Sequence, residues 1–403
     1  MTSKRVVITA SASISPLGTN NNEIIQFLKS KKTSFEKSTI DPDCTVCPVK
    51  DFNLTNYTGK FKNKRYLNRG AALSVAAAIE AINKAKLSKK ELEKSGLFIG
   101  AGPNLDIENE FCDITDKKVN WNKLQALWLL KFLPNTAASA ISQIAGIHGE
   151  CSTIGTACAA SLQSIGNAFR SIKNGNLDIA IAGGGDSRLS KGAIMAYKKA
   201  QSIYTGDASP HKACRPFDQN RKGFVSGEGA AFFVLETFEH AKKRNANILA
   251  EIIGYGATID GYTMTAPQKD GKYAQKAIFQ ALKEANTKLY NIDLISAHGT
   301  GTILNDKMEA EMIDRLFGEL KPMIIAIKSW IGHLSAACGA VELFISLACM
   351  EYAYIPEIRN LKKPCNTSIN LLKKSVSKKV KTLLIENFGF GGQNCALIVR
   401  LTG

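Results

Sequence analysis

The sequence contains no uncharged apolar run of about 18 residues, so a membrane-spanning helix is not expected. It has no low-complexity linker. Its 10 cysteines are scattered through 403 residues, and Cys44 and Cys47 form a lone CxxC without a second pair at zinc-ribbon spacing. That pattern argues against a disulfide framework and a zinc ribbon, and suits a reducing, cytosolic setting. Acidic residues are in deficit: 35 Asp and Glu face 52 Lys and Arg, a net charge of +17. The surplus favours an acidic partner, and nucleic acid, an anionic membrane and an acidic carrier protein all satisfy that. No zinc spacing or RNP-like aromatic segment supports nucleic acid. Hydrophobic residues at 45% and charged residues at 22% exclude a disordered chain, a collagen and a coiled coil. Lys4 and Arg5 before Val6–Ile8 imitate the start of a signal peptide. The run turns polar at Thr9, Ser11 and Ser13, which suits a buried first strand better.

Strands and helices alternate along the chain. Strands are expected at Val6–Ala10, Leu97–Gly100, Asp178–Ala182 and Ala230–Leu235, with an Ala-rich helix over Ala71–Ala85. Cys151–Thr156 leads into a helix that starts near Cys158 and runs toward Ile172. The second half repeats the idea. Strands are expected at Ile248–Tyr255, Leu294–Ala297 and Met323–Ile327, helices at Lys272–Ala285 and Gly339–Tyr352, and a final pair at Thr382–Ile385 and Ala396–Leu401. The reading is a duplicated α/β domain, residues 1–245 and 246–403, joined near Glu239–Asn247.

Four segments could carry chemistry. In Gly155–Ser161, small residues surround Cys158 where a strand meets a helix, and a helix N-terminus favours thiolate. One helix end contributes about 0.3–1 kcal/mol, less than one pKa unit, so a useful nucleophile needs help, most simply from histidine. The bland reading is a buried structural cysteine. In Ala297–Thr302, His298 ends a strand beside Gly299 and Gly301, with hydroxyls at Thr300 and Thr302 and then Asn305 and Asp306. Without those neighbours, a structural histidine would be the better reading. In Ile327–His333, Lys328 closes a strand and His333 follows in a loop. A buried Lys328 needs an acidic partner, and Glu342 can fold back to it, whereas a surface Lys328 would not. In Asn387–Asn394, glycines and side-chain amides flank Phe388 and Phe390, and free N–H groups there could line an oxyanion pocket. A plain glycine-rich β-turn is the alternative.

Taken together, TACAAS, AHGTGTILND, IKSWIGHLSAACGAVE and NFGFGGQN resemble the β-ketoacyl-acyl carrier protein synthases, condensing enzymes of the thiolase-like superfamily. RPFDQNRKGFVSGEGA and MTAP support the match, which spans nearly the whole chain. The resemblance implies an α/β thiolase-like fold of two duplicated βαβαβαββ halves in α-β-α-β-α layers. It implies decarboxylative condensation of an acyl group with malonyl-acyl carrier protein, giving 3-ketoacyl-acyl carrier protein and carbon dioxide.

By similarity, Cys158 accepts the acyl group, and neutral His298 and His333 stabilise the enolate formed by decarboxylation. The backbone N–H groups of Cys158 and Phe390, in the turn with Gly391, hold the oxyanion, and Phe390 gates the site. Lys328 orders the site with Glu342 or Asp306. Thr300 and Thr302 hold the phosphopantetheine arm, and Ile107 lines the acyl pocket. Lys64, Arg65, Arg69 and Lys199 are the candidates for carrier docking. No metal or other cofactor is implied, because the carrier brings the phosphopantetheine. The expected assembly is a cytoplasmic homodimer, with pairing to a second synthase-like chain as the alternative.

Ser161, Thr263 and Gly301 depart from the bacterial fatty-acid pattern, so fatty-acid, polyketide and aryl-polyene substrates all stay open. A thiolase would need a second catalytic cysteine, for which Cys338 and Cys395 are the candidates, but neither sits in a CxG motif. A chain-length factor would lack the nucleophile. A basic nucleic-acid-binding protein is the reading from a different class. The seven lysines between Lys362 and Lys381 read as solvated surface.

Overall fold

The computed structural model describes residues 4–105, 114–115, 118–119 and 125–402. In the first half, strand β1 (Val6–Ile14) is followed by helix α1 (Arg69–Ala85) and strand β2 (Gly96–Gly100). Helix α2 (Thr136–Ala145), strand β3 (Cys151–Ile154) and helix α3 (Ala160–Lys173) come next. Strands β4 (Ile179–Ser187) and β5 (Ser226–Thr237) close this half. The second half repeats the order: β6 (Ala250–Ile259), α4 (Lys272–Glu284), β7 (Leu294–Ser296), α5 (Ile303–Phe317) and β8 (Met323–Ile325). It ends with α6 (Cys338–Glu351), β9 (Thr382–Gly389) and β10 (Gln393–Leu401).

The sheet topology repeats as well. The strand order is β8-β7-β9-β10-β6-β1-β5-β4-β2-β3, so each half reads first, fifth, fourth, second, third outward from the middle. β2 runs parallel to β3 and β4, as β7 does to β8 and β9. The halves are joined by antiparallel pairing of Val6–Ile8 with Ala250–Ile252.

Alternation along the strands builds the layers. In β2, Leu97 and Ile99 face α1 and α2, while Phe98 faces α3 and α6. In β9, Leu384 faces α4 and α5, while Leu383 and Ile385 face α3 and α6. α3 and α6 therefore form a middle layer shared by both halves, and the sequence of layers is α-β-α-β-α. Residues 338–350 of α6 are all buried, as an almost wholly apolar helix requires. Each fully buried Leu, Ile or Phe there contributes about 1.5–3 kcal/mol.

Both central helices begin with the same corner. A short 3₁₀ turn, Ala157–Ala159, precedes α3, and Ser335–Ala337 precedes α6. Ala157 and Ser335 both have φ 47°, a left-handed conformation costly for residues with a Cβ. The corners pack together, with Cys158 in one and Ala336 at the equivalent position of the other.

Several strands run longer than expected, and two differences bear on the frame of the site. The strand expected to reach Ile327 stops at Ile325, and Lys328 opens a buried one-turn helix, Lys328–Ile331. The strand expected over Ile248–Tyr255 starts at Ala250 and extends to Ile259, where it follows β10 to Gln393. The lone CxxC is split by the alternation of its strand: Cys44 and Cys47 pack into separate apolar clusters. Among the described residues, no group of His, Cys, Asp or Glu is arranged to hold a metal ion. No helix among them is long and apolar enough to cross a membrane.

Candidate active site

A cavity of about 310 Å³ lies between the halves, and Cys158, His298 and His333 all line it. Cys158 comes from the first half, and the two histidines come from the second.

Cys158 is 8% exposed on the corner before α3. Burial pushes its thiol up to about 11, against the opposing pull of the Lys328 charge and the Phe390 N–H. The resting group is therefore a neutral thiol. Gly389 lets β9 approach this corner. A Cβ on Gly389 would stand 2.6 Å from the Thr156 carbonyl oxygen and 3.4 Å from the Cys158 nitrogen. This close approach brings the Cys158 and Phe390 N–H groups near each other, and the Phe390 N–H points to the sulfur. The Gly391 N–H does not join them, because it donates to the Met264 carbonyl at 2.8 Å. This corrects its place in the expected oxyanion pocket. Phe390 itself is 41% exposed at the cavity wall.

His298 sits just past β7. Glu309 fixes the turn by accepting the His298 N–H at 2.6 Å and the Gly299 N–H at 2.8 Å. On the His298 ring, Nδ1 lies 3.2 Å from Lys328 Nζ and 3.2 Å from Asn387 Nδ2. Both neighbours are donors, so Nδ1 accepts and the ring proton sits on Nε2. His333 reaches the same tautomer by another route, since its Nδ1 accepts the Ser335 N–H at 3.0 Å. The two rings meet edge to face at 5.7 Å. Burial, reinforced by Lys328, holds both imidazoles well below the usual histidine range.

Lys328 is fully buried and donates to Glu342 Oε1 at 2.5 Å. Burial pulls its ammonium down, but Cys338, Glu342 and Glu309 together raise it above the usual value. Glu342 Oε2 accepts from Asn387 Nδ2 at 2.9 Å. Asn387 thus ties Glu342 to His298, a link the sequence reading missed.

Asp306 does not touch Lys328, which corrects its assignment as a partner. It instead accepts the N–H groups of Phe217, Thr300 and Gly301 at 2.7, 3.0 and 3.0 Å. Its carboxylate thereby fixes the loop that carries Thr300 and Thr302. Those two hydroxyls stand 2.9 Å apart, and both residues line the cavity. Cys338 lies 3.7 Å from His333 Nδ1, on the side away from Nε2, and Cys395, on β10, is buried against the middle layer. Neither lines the cavity with Cys158.

Ile107 lies outside the described residues. Of the docking candidates, Lys64 and Arg65 are exposed, and Lys199 is exposed on the helix whose Tyr197 lines the cavity. Arg69 is committed elsewhere: it makes a two-pronged pair with buried Glu228 at 2.7 and 3.1 Å and donates to the Val49 carbonyl. It is therefore corrected from a docking to a structural residue. Exposed Lys222 lines the cavity and was not anticipated. Nor was the buried pair of Asp186 and Arg188, whose charges both act on the Cys158 thiol.

A buried thiol and two neutral ring donors share one cavity on a duplicated α/β frame, equipment that suits an acyltransferase. The chain belongs to the β-ketoacyl synthase family, the condensing acyltransferases: the family's N-terminal domain matches residues 3–241 and its C-terminal domain residues 249–362. It is 33% identical to the 3-oxoacyl-acyl-carrier-protein synthase 1 of Buchnera aphidicola, over 98% of this chain and 99% of that one. It is 34% identical to the mitochondrial 3-oxoacyl-acyl-carrier-protein synthase of Arabidopsis thaliana, over 84% of this chain and 77% of that one. A type II polyketide ketosynthase solved with its acyl-carrier protein superposes with a TM-score of 0.88, at 26% identity, over 99% of this chain and 100% of that one.

Proposed function

We propose that Cys158 carries the acyl group and that His298 and His333 drive decarboxylation of a malonyl thioester in the same cavity. The observation that carries this reading is the shared tautomer. Each imidazole has its Nδ1 occupied by a donor, so each presents Nε2–H. Two neutral donors stabilise an enolate oxygen without retaining the carboxylate as an ion pair.

The same tautomers make both rings poor bases toward the Cys158 proton. In acyl transfer, sulfur attacks the carrier thioester carbonyl while the carrier's carbon–sulfur bond breaks. The thiol proton ends on the released pantetheine thiol. The Cys158 and Phe390 N–H groups support the oxyanion of that step, and again when the enolate attacks acyl-Cys158. Thr300 and Thr302 offer hydroxyls to the pantetheine arm, and Phe390 swings at the cavity wall. This chemistry calls for no metal or redox cofactor.

The docking partner in this reading is an acidic acyl carrier protein, met by Lys199 and Lys222 beside the cavity and by Lys64 and Arg65 further out. The two halves divide near residue 245, and the chain works as a cytoplasmic homodimer. Exposed Leu127, Leu129 and Leu133 supply apolar surface for self-association. Pairing with a second synthase-like chain would use the same surface.

Incubation with acyl-loaded carrier tests the assignment. One acyl mass should add to Cys158, and Cys158→Ala should add none. An unchanged adduct in that variant would show that the acylated residue lies elsewhere.

A further inference from the structure

We infer that Arg188 selects acyl groups bearing an oxygen near the thioester over plain alkyl chains of the same length. The inference rests on the acyl-Cys158 reading and deepens it.

Arg188 is 4% exposed and Asp186 is 6% exposed, and they pair at 2.9 Å. They lie at the end of β4, close enough that Asp186 raises the Cys158 thiol and Arg188 lowers it. The connection is also direct through the backbone. Asp186 Oδ2 accepts the N–H of Ala336, whose corner packs against that of Cys158. A second cavity, of about 50 Å³, opens here, and Arg188, Asp186, Gly102, Asn104 and Leu133 help to line it.

This wall is built to hold a guanidinium. Arg188 donates through one terminal nitrogen to Asp186 and through the other to the Pro103 carbonyl at 2.5 Å. Gly102 leaves the necessary room: a Cβ there would lie 2.0 Å from the guanidinium and 2.7 Å from the Asp186 carboxylate. Half-buried Tyr197, which lines the Cys158 cavity, bonds to Ser335 Oγ at 3.1 Å.

One nitrogen of this guanidinium, the buried Arg188 Nε, makes no hydrogen bond among the described residues. A buried donor left unpaired is costly, and an alkyl chain beside it would leave it unpaired. A carbonyl or hydroxyl on the acyl chain would accept from it. A site built to hydrogen-bond such a group discriminates strongly against the analogue that lacks it. Asp186 neutralises the guanidinium, so the favoured group is a neutral oxygen acceptor.

The test compares two four-carbon thioesters, 3-oxobutanoyl and butanoyl pantetheine, by their rates of Cys158 acylation measured by mass spectrometry. Wild type should acylate faster with the 3-oxo thioester, by about tenfold or more. Arg188→Met should bring the ratio close to one, and Gly102→Ala should lower it by displacing the guanidinium. Equal rates in wild type, or a butanoyl preference, would overturn the inference. So would a ratio unchanged in a folded Arg188→Met, and the wild-type ratio decides the matter alone if that variant does not fold. Failure of both thioesters to acylate Cys158 would instead sink the nucleophile assignment.

Discussion

Lys328 Nζ stands between two acceptors, Glu342 Oε1 at 2.5 Å and His298 Nδ1 at 3.2 Å. One buried ammonium therefore satisfies a carboxylate and fixes a tautomer together. Removing one partner of a buried pair costs about 3–5 kcal/mol. Lys328→Ala should lower stability by that order in denaturant unfolding, and it should impair malonyl decarboxylation more than Cys158 acylation. Lys328→Met with Glu342→Leu should recover most of the stability but not the decarboxylation. Equal loss of both steps in Lys328→Ala would remove the link to His298.

In the proposed reaction His298 and His333 divide the tasks with Cys158. Replacing either by Ala should slow decarboxylation by about 10²–10³-fold, the usual effect of losing one oxyanion donor. Acylation of Cys158 should change much less. Single-turnover assays of the two steps will separate them, and parallel losses would contradict the division.

The same histidines set a pH dependence of stability. In the unfolded chain they take up protons near the usual 6.5, while burial and Lys328 keep them neutral in the fold. The unfolded state then binds more protons, so stability falls as pH drops below 6.5 toward the folded values. Urea midpoints across that window should fall with pH, and less steeply in His298→Asn. An equally steep decline in that variant would assign the effect to other groups.

Cys158 should behave as a buried thiol. Its alkylation by iodoacetamide should keep rising with pH toward about 11, beyond the range of an ordinary cysteine. A plateau near pH 7 would reveal a thiolate that the surroundings do not support.

Carrier docking should depend on lysines near the cavity mouth. Lys222→Glu or Lys199→Glu should raise the KM for carrier thioesters several-fold and weaken its salt dependence. The kcat should change little. Arg69→Ala should instead lower stability, because buried Glu228 loses its partner. An Arg69→Ala protein with native stability and a raised KM would restore that residue to the docking face.

Cys158, His298, Lys328 and His333 were legible because each sits beside glycines or small residues at a strand or helix end, where local sequence encodes the turn. The duplication was legible from the alternation of strands and helices. Asn387 and Asp186 also lie beside glycines, but the roles of Asn387, Asp186 and Arg188 depend on partners that the local sequence does not name. Asn387 bonds residues 45 and 89 positions away, and the Asp186–Arg188 pair acquires its meaning only when Ala336 packs against it. Asp306 was misassigned because sequence proximity to His298 does not tell whether a carboxylate turns toward Lys328 or back to its own loop. Arg69 was misassigned because positive charge alone does not reveal that Glu228, 159 residues away, consumes it.

The two φ 47° corners carry a consequence for stoichiometry. The frame offers the same bend twice, yet only one bend holds sulfur. At the other, Ala336 has nothing to acylate, and its N–H is tied to Asp186. The preceding Ser335 gives its N–H to His333, so the silent bend orients a ring in the cavity of Cys158. In the proposed reaction each chain therefore loads one acyl group, always from the same side. In that reaction the internal twofold symmetry is spent on separating donor from acceptor.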